Sequence, residues 1–166
     1  MSGDEGKELR RAKDLLYRRL AARQRSRAEL AAYLSEKEIA EDVSAAAIED
    51  LARFGFIDDA KFARQYARYL LTRKSLSRYA LRMELRRKGI SEPEIEAALD
   101  DVFEEEGISE ESVALLAAER KFKDMKGLKK EVARRRLADY LRRRGHSFET
   151  IARVQRSLGI SGRCGS

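Results

Sequence analysis

The chain has 166 residues, of which 43% are hydrophobic and 39% charged, with one proline and no tryptophan. This composition excludes collagen-like and proline-rich classes, disfavours an all-β fold, and is dominated by the strong helix formers Ala, Leu, Glu, Lys and Arg. The 36 lysines and arginines exceed the 29 acidic residues and give a net charge of +7, which is compatible with a nucleic-acid partner.

The N-terminal third of the chain predicts three helices. Apolar residues recur at steps of three and four along the first helix, which places them on one face. Ser26 and Glu29 have the spacing of a capping box, which predicts the start of a second helix. The third helix has an apolar face of its own. The residues that carry these two faces are Leu9, Ala12, Leu16 and Leu20, then Ala47, Ile48 and Leu51.

A second group of three helices follows. Either Asp58 or Asp59 can cap its first helix, Gly89 can end its second, and Ser91-Glu-Pro-Glu94 opens its third. We expect the inner stripe of its first helix to comprise Phe62, Tyr66, Tyr69 and Leu70.

A third group repeats the same order, with a stop at Gly145 before its last helix. Its expected core residues are Leu116, Ala117, Leu137, Tyr140, Leu141, Ile151, Val154 and Leu158.

The three groups are copies of one unit. One fixed offset aligns the first copy with the second, and a slightly longer one aligns the second with the third. The extra residues of the third copy are expected near 122–127. Five sets of positions match at these offsets, too many to attribute to leucine abundance. The matching sets are Arg27, Arg78 and Arg134; Leu30, Leu81 and Leu137; Leu34, Leu85 and Leu141; Lys37, Lys88 and Arg144; and Leu51, Val102 and Leu158.

We therefore predict an all-α protein of three tandem three-helix repeats, about nine helices in an elongated, curved array. Units of this size bury little surface alone and depend on their neighbours. The expected boundaries are a flexible N-terminus at 1–8, repeats at 9–57, 58–108 and 109–159, and a flexible tail at 160–166.

Charge is distributed by helix: the middle helices are basic and the third helices acidic. A basic stripe could follow an anionic surface, because the guanidinium group binds phosphate or carboxylate through two parallel hydrogen bonds. The alternative is a solvated face with Glu–Arg pairs between helices. The scarcity of acidic residues where the basic ones cluster weakens this alternative. The candidate partner- or nucleic-acid-binding residues are Lys74, Arg78, Arg82, Arg86, Arg87, Lys88, Arg134, Arg135, Arg142 and Arg143.

The aromatic residues and the single histidine also have two interpretations. Tyr66, Tyr69 and Tyr79 could stack on unpaired bases, but their helical spacing favours packing in the core. His146 follows a glycine that ends a helix, and it is most simply a loop residue.

The residues that catalytic and metal sites need are nearly missing. A metal site, a Cys–His dyad or a Ser–His–Asp triad would depend on His146 or Cys164, each the only residue of its type. The pair Asp58-Asp59 is better explained by helix capping, and the acidic run at 104–106 lacks a partner. No phosphate-binding glycine loop is present. We expect no enzyme, no metal and no cofactor.

No segment predicts membrane insertion. The longest apolar run, near 113–118, is far shorter than the ~20 residues that cross a bilayer. The first six residues lack the apolar core of a signal peptide. We expect a soluble, cytoplasmic monomer.

Two stretches resemble the RecX family of bacterial RecA regulators. The first is Gly55-Phe-Ile-Asp-Asp-Ala-Lys-Phe-Ala-Arg-Gln-Tyr66, and the second is Arg78-Tyr-Ala-Leu-Arg-Met-Glu-Leu-Arg-Arg-Lys-Gly-Ile90. Three tandem three-helix units are also that family's architecture, and the resemblance covers about residues 9–159. One departure is visible, since family members often have glycines where this chain has Lys74-Ser-Leu-Ser77.

The resemblance implies a non-enzymatic role in homologous recombination, DNA repair and the SOS response. Proteins of this family bind RecA, typically in the groove of its filament on single-stranded DNA, and inhibit its ATPase, filament extension and strand exchange. The alternative that we retain is a stand-alone, non-specific DNA-binding repeat protein, bound to single- or double-stranded DNA. A hydrolase using Asp58, Asp59 or the acidic helices is disfavoured.

Overall fold

The computed structural model describes the backbone of residues 3–160 and the side chains of residues 5–160. Over that range the chain forms nine helices and no strand, as predicted. Cys164 and the rest of 161–166 lie outside the described residues. The helices are α1 (Gly3–Ala22), α2 (Arg27–Glu36), α3 (Glu41–Arg53), α4 (Asp59–Lys74), α5 (Arg78–Arg87), α6 (Glu92–Glu105), α7 (Glu110–Lys123), α8 (Lys130–Arg142) and α9 (Phe148–Ser157).

The repeated leucines form the core, as their periodicity predicted. The two leucines of each middle helix have no exposed surface, and an aliphatic residue of α3 and of α6 is buried beside them. These fully or almost fully buried residues are Leu30, Leu34, Leu81, Leu85, Leu137, Leu141, Leu51 and Val102. Burying a leucine side chain stabilises a fold by about 1.5–3 kcal/mol, so this periodic pattern is the main reason that each copy folds.

The ends of the helices follow the capping chemistry of the sequence. Ser26 and Glu29 form the predicted capping box at the start of α2. The Asp58 carboxylate accepts the backbone N–H of Lys61 at 2.8 Å, so Asp58 caps α4. Gly89 and Gly145 have φ angles of 74° and 81°, the left-handed conformation expected where α5 and α8 end.

Several boundaries differ from the expectation. Helix α1 begins at Gly3, inside the segment assigned to a flexible N-terminus, and Ile160 is buried rather than part of a free tail. Helix α8 begins at Lys130, although its aligned counterparts α2 and α5 begin at Arg27 and Arg78. The extra residues of the third copy therefore lengthen α8 as well as the turn before it.

Three residues expected in the core are on the surface. Tyr69 is 55% exposed and Tyr79 is 61% exposed, and Leu116 is 46% exposed. Helical spacing placed them correctly on helices, but the buried stripe is narrower than the sequence indicated because small residues such as Ala63, Ala67 and Ala117 fill it.

By compactness the described chain divides into two units. The first contains the residues up to Gln65 together with Leu85–Ala98, and the second contains Tyr66–Glu84 together with the residues from Leu99 onward. Each unit therefore combines one outer repeat with part of the second repeat. No helix in the described part of the chain has the length and apolar character needed to cross a membrane.

Candidate interaction surface

Within the first compact unit, the end of α5 docks on the start of α2. The Ser26 hydroxyl donates to the Lys88 carbonyl oxygen at 2.6 Å, and the Lys88 ammonium donates to the Glu29 carboxylate at 2.7 Å. A Cβ atom on Gly89 would overlap that of Ala28, so only glycine permits this approach.

The same arrangement recurs within the second unit, between the end of α8 and the start of α5. The Ser77 backbone N–H donates to the Arg144 carbonyl oxygen at 2.9 Å, and Arg144 Nε donates to the Lys74 carbonyl oxygen at 2.9 Å. A Cβ atom on Gly145 would lie 2.6 Å from Ser77 Oγ and 2.8 Å from the Cβ of Ala80. We call these two contacts the seams of the repeat.

His146 belongs to the second seam and is not a simple loop residue. Its side chain is 3% exposed, and Nε2 lies 3.0 Å from the Ser75 carbonyl oxygen, which can only accept a hydrogen bond. Ser75 has a φ angle of 49°, so the turn that departs from the family's glycine pattern does adopt a left-handed conformation. The turn is held in that conformation by hydrogen bonds from His146 and Arg144.

A carboxylate from the following repeat caps the middle helix at each seam. Asp59 accepts the backbone N–H of Arg27 at 2.9 Å, and Glu110 accepts that of Arg78 at 2.8 Å. The two acids are separated along the chain by the same offset as the two arginines that they cap. The sequence predicted Asp59 only as a possible cap for its own helix, but Asp59 caps α2, the middle helix of the preceding repeat.

Burial and neighbouring charges set three pKa values at these contacts. Burial alone would raise the pKa of Glu29, but hydrogen bonds from Lys88 and Ser26 and the nearby Arg23 hold it below its usual value. Burial raises the pKa of Asp59, and the carboxylate of Glu94 adds to that effect. Burial also lowers the pKa of His146.

The basic residues of the second repeat largely have internal partners. Arg78 pairs with Asp100 at 2.6 Å and lies over the Phe103 ring, and Arg86 pairs with Glu92 at 2.8 Å. Arg82 and Arg87 also have interaction partners, and Lys88 pairs with Glu29 as described above. The scarcity of acids along these basic segments therefore does not weaken the alternative of a paired face in the second repeat, because the acids come from α6 and from α2. Lys74 is exposed.

The third repeat is different. Arg134, Arg135 and Arg143 are exposed, and no ion pair involves them among residues 5–160. Arg142 is 68% exposed at its side chain and lies 3.4 Å from Asp139, one turn away on the same helix. Of the ten candidate residues, Lys74, Arg134, Arg135 and Arg143 are thus exposed without an ion pair among residues 5–160, and three of these four lie on or directly after α8.

Exposed aromatic side chains are a feature that the sequence analysis missed. Phe148 is 85% exposed at the start of α9, and Phe54 is 73% exposed after α3. Tyr17 and Phe56 meet edge to face with ring centres 5.4 Å apart. Phe54, Phe56 and Phe148 lie at or next to helix ends, outside the apolar periodicity, and this position was the available signal in the sequence.

The described side chains offer no cluster of metal-binding residues. The Asp58 carboxylate caps its own helix, as interpreted from sequence, whereas the Asp59 carboxylate caps α2.

Family models match all three repeats. They are described as the first, second and third three-helix domains of RecX, and they match residues 12–51, 58–99 and 109–154. The boundaries of 9–57, 58–108 and 109–159 inferred above contain these spans.

Relatives named regulatory protein RecX cover most of the chain. One from Thermobifida fusca is 33% identical over 146 residues, spanning 88% of this chain and 77% of its own length. One from Amycolatopsis mediterranei is 33% identical and spans 82% of this chain and 77% of its own length. One from Mycobacterium sp. (strain KMS) is 37% identical and spans 78% and 72%.

Two solved structures share the fold. The crystal structure of RecX from Lactobacillus salivarius superposes with a TM-score of 0.75 at 19% identity, covering 93% of this chain and 99% of that one. A second crystal structure, of a regulatory protein RecX, gives a TM-score of 0.76 at 20% identity and covers 92% and 74%.

Proposed function

Because the chain belongs to the RecX family, we propose that it regulates the recombinase RecA by binding RecA and its filament on single-stranded DNA. Binding in the filament groove lowers ATP hydrolysis, filament extension and strand exchange. The protein acts as a cytoplasmic monomer without catalytic activity of its own. The observation that carries this proposal is the tandem order of three family domains over residues 12–154.

Repetition supports binding to a polymer. A filament presents the same surface at regular intervals, and a chain of similar units can engage several of these surfaces at once. Linked weak contacts give an overall affinity far above that of one contact, so the filament is favoured over the free RecA subunit.

The test is the rate of ATP hydrolysis by RecA on single-stranded DNA as this protein is added. We expect the rate to fall as the protein approaches a stoichiometric ratio to RecA, and the protein to sediment with the filaments. An unchanged rate at molar excess, with no cosedimentation, would contradict the proposal.

A stand-alone DNA-binding protein is the second candidate, and the solvent-facing arginines of α8 favour it. Such binding neutralises phosphates and releases counterions, so its affinity falls steeply with salt. Oligonucleotide binding of equal strength with and without RecA, and no effect on RecA hydrolysis, would select this alternative.

A further inference from the structure

The three repeats share a pair of facing positions whose charge pattern changes in the last one. In repeat 1, Arg27 pairs with Glu49 at 2.9 Å. In repeat 2, the matching residues Arg78 and Asp100 pair at 2.6 Å. At the offsets of the repeat, the third pair of positions is Arg134 and Arg156, so the acid on the last helix is replaced by a second cation.

The backbone at this place keeps the geometry that brings the two helices together. The Gln155 side-chain amide donates to the Arg134 carbonyl oxygen at 2.9 Å, which ties the residue before Arg156 to α8. Arg134 and Arg156 are both exposed, and within residues 5–160 neither takes part in an ion pair. The positive charges of Arg134 and Arg156 repel each other, because no acid of the repeat neutralises them. An anion from outside the chain would therefore be stabilised here.

A groove lies beside this pair of positions, between α8 and α9. It encloses about 430 Å³, its floor includes Ala138, Ile151 and Ala152, and Phe148 stands 85% exposed at its edge. Arg135 and Arg142 line it together with Arg134. It therefore combines an apolar floor with a cationic rim.

The equivalent groove of repeat 1 has the opposite character. It lies between α2 and α3 and encloses about 470 Å³, and it is lined by no basic residue. The position of Phe148 is there occupied by Glu41, and the position of Arg142 by Ser35. Relative to repeat 1, Arg135, Arg142 and the exposed aromatic ring of Phe148 are thus specific to the third repeat, whereas Arg134 matches Arg27.

We infer that the α8–α9 groove of repeat 3 binds an acidic segment of a partner protein that inserts an apolar side chain. The carboxylates of that segment pair with the rim arginines, and its apolar side chain packs on Phe148 and the floor. The acids Glu131 and Asp139 also line the groove and oppose every anionic ligand alike. The apolar floor is what favours a protein segment, because a phosphate backbone has no apolar group to place there. The inference deepens the function proposed above and rests on it for the identity of the partner.

The decisive variant is Arg156→Glu, which restores the acid found in the other two repeats. Arg156 does not itself line the groove, but an acid at this position would neutralise Arg134, which does. We expect it to weaken binding to RecA filaments on oligo-dT at least tenfold while leaving the melting temperature unchanged or higher. Arg136→Glu is the matched control, because it makes the same change of charge at a residue that neither lines this groove nor occupies the repeat position that faces Arg134. Its effect on filament binding is expected to be less than threefold.

Phe148→Ala tests the apolar half of the site without changing charge, and we expect at least fivefold weaker binding. Equal losses of filament binding for Arg156→Glu and Arg136→Glu would overturn the proposed role of the groove. Unchanged filament binding for both Arg156→Glu and Phe148→Ala would overturn it as well. A loss by Arg156→Glu that is confined to RecA-free oligo-dT also overturns it, because phosphate would then be the ligand.

A separate probe distinguishes failure of the groove from failure of the proposed function. If the wild-type protein inhibits RecA and the groove variants inhibit it equally well, the proposed role of the groove is wrong and the proposed function still holds. If wild-type protein does not act on RecA, a fluorescent peptide of alternating Glu and Leu replaces the filament as the probe. If the wild-type protein binds this peptide and Arg156→Glu weakens that binding tenfold, the proposed role of the groove is supported. If the peptide does not bind, the proposed role is overturned.

Discussion

Glycine is required where the middle helix of one repeat meets the preceding repeat. Glu38 shows why, because it occupies the matching position in repeat 1 with a φ angle of 58° and an exposed side chain. The left-handed backbone alone therefore does not demand glycine. Close approach to Ala28 and to Ser77 does so at Gly89 and Gly145.

Replacing Gly89 with alanine separates these two effects. Gly55 has a similar φ angle of 77° but open space around its Cα, so Gly55→Ala measures the backbone effect alone, about 1–2 kcal/mol. Gly89→Ala adds steric overlap with Ala28, and we expect it to lower the free energy of unfolding by roughly a further 1–3 kcal/mol. Urea denaturation measures both, and equal losses would show that the seam tolerates a methyl group.

His146 makes stability depend on pH. Its buried Nδ1 has no hydrogen-bond partner and its pKa is lowered, first by burial and also by Arg144, against the opposing effects of the Ser75 carbonyl and Glu110. Below pH 6.5 the unfolded chain binds a proton that the folded chain does not, so the free energy of unfolding falls as pH falls. The slope is at most about 1.4 kcal/mol per pH unit until the folded pKa is reached.

His146→Gln removes the titrating group. We expect the variant to be less stable at pH 7.5 but to lose less stability than wild type between pH 7.5 and about 5.5. Denaturation curves across this range give both values, and parallel pH profiles would count against the assignment.

The role of a single residue was predictable from sequence where its partners are close neighbours along the chain. The capping box of Ser26 and Glu29 needs only four neighbouring residues, and the structure confirms it. The role of His146 was not predictable in this way, because it depends on residues that another repeat places beside it. Nothing near His146 in sequence indicates that Ser75, 71 residues away, accepts its hydrogen bond.

At the scale of helices, the middle helix of each repeat is fixed by two leucines on its inner face. Leu85 has no exposed surface, so Leu85→Ala should lower the free energy of unfolding by about 2–5 kcal/mol. Tyr79→Ala on the same helix is the control, since a side chain that is 61% exposed should change stability by less than about 0.5 kcal/mol. Similar losses for the two variants in thermal or urea unfolding would contradict the assigned burial.

Arg78 and Arg86 of α5 pair with acids of α6, so substituting them is expected to lower stability as well as change the surface charge. Reversing the charge of Arg78, Arg82 and Arg86 together removes the pairs with Asp100 and Glu92, so the melting temperature should fall. A double-mutant cycle with Arg78→Ala and Asp100→Ala should give a coupling of about 0.2–1 kcal/mol, the range of exposed pairs. A coupling of zero would mean that this pair does not join α5 to α6 in solution.

For the whole molecule, repeat number and helical class were predictable because periodic burial repeats with the chain. The elongated, curved array stays a prediction, which small-angle scattering tests. The candidate site was less predictable. Charge runs were visible in the sequence, but which cations are neutralised depends on acids of other helices, such as Glu29 for Lys88.

The net charge of +7 should speed the association that we propose between this protein and a RecA–DNA filament. Attraction between opposite charges speeds encounter and is screened by salt, so the association rate constant should fall as salt rises from roughly 50 to 200 mM. Stopped-flow fluorescence measures this rate. A rate constant independent of salt would indicate that apolar contact alone governs encounter.

Each seam joins the end of one middle helix to the start of the previous one, and the second repeat carries both halves of this joint. It offers Gly89 in one direction and Ser77 in the other. In a chain with a second copy of residues 58–108 spliced in after the first, Gly89 of the added copy would meet Ser77 and Ala80 of the first, as Gly145 does here. Lys88 of the added copy would meet Ala80 in place of its partner Glu29. The chain could then be lengthened in whole modules, with Ala80→Glu in the first copy restoring the one ion pair that the splice removes.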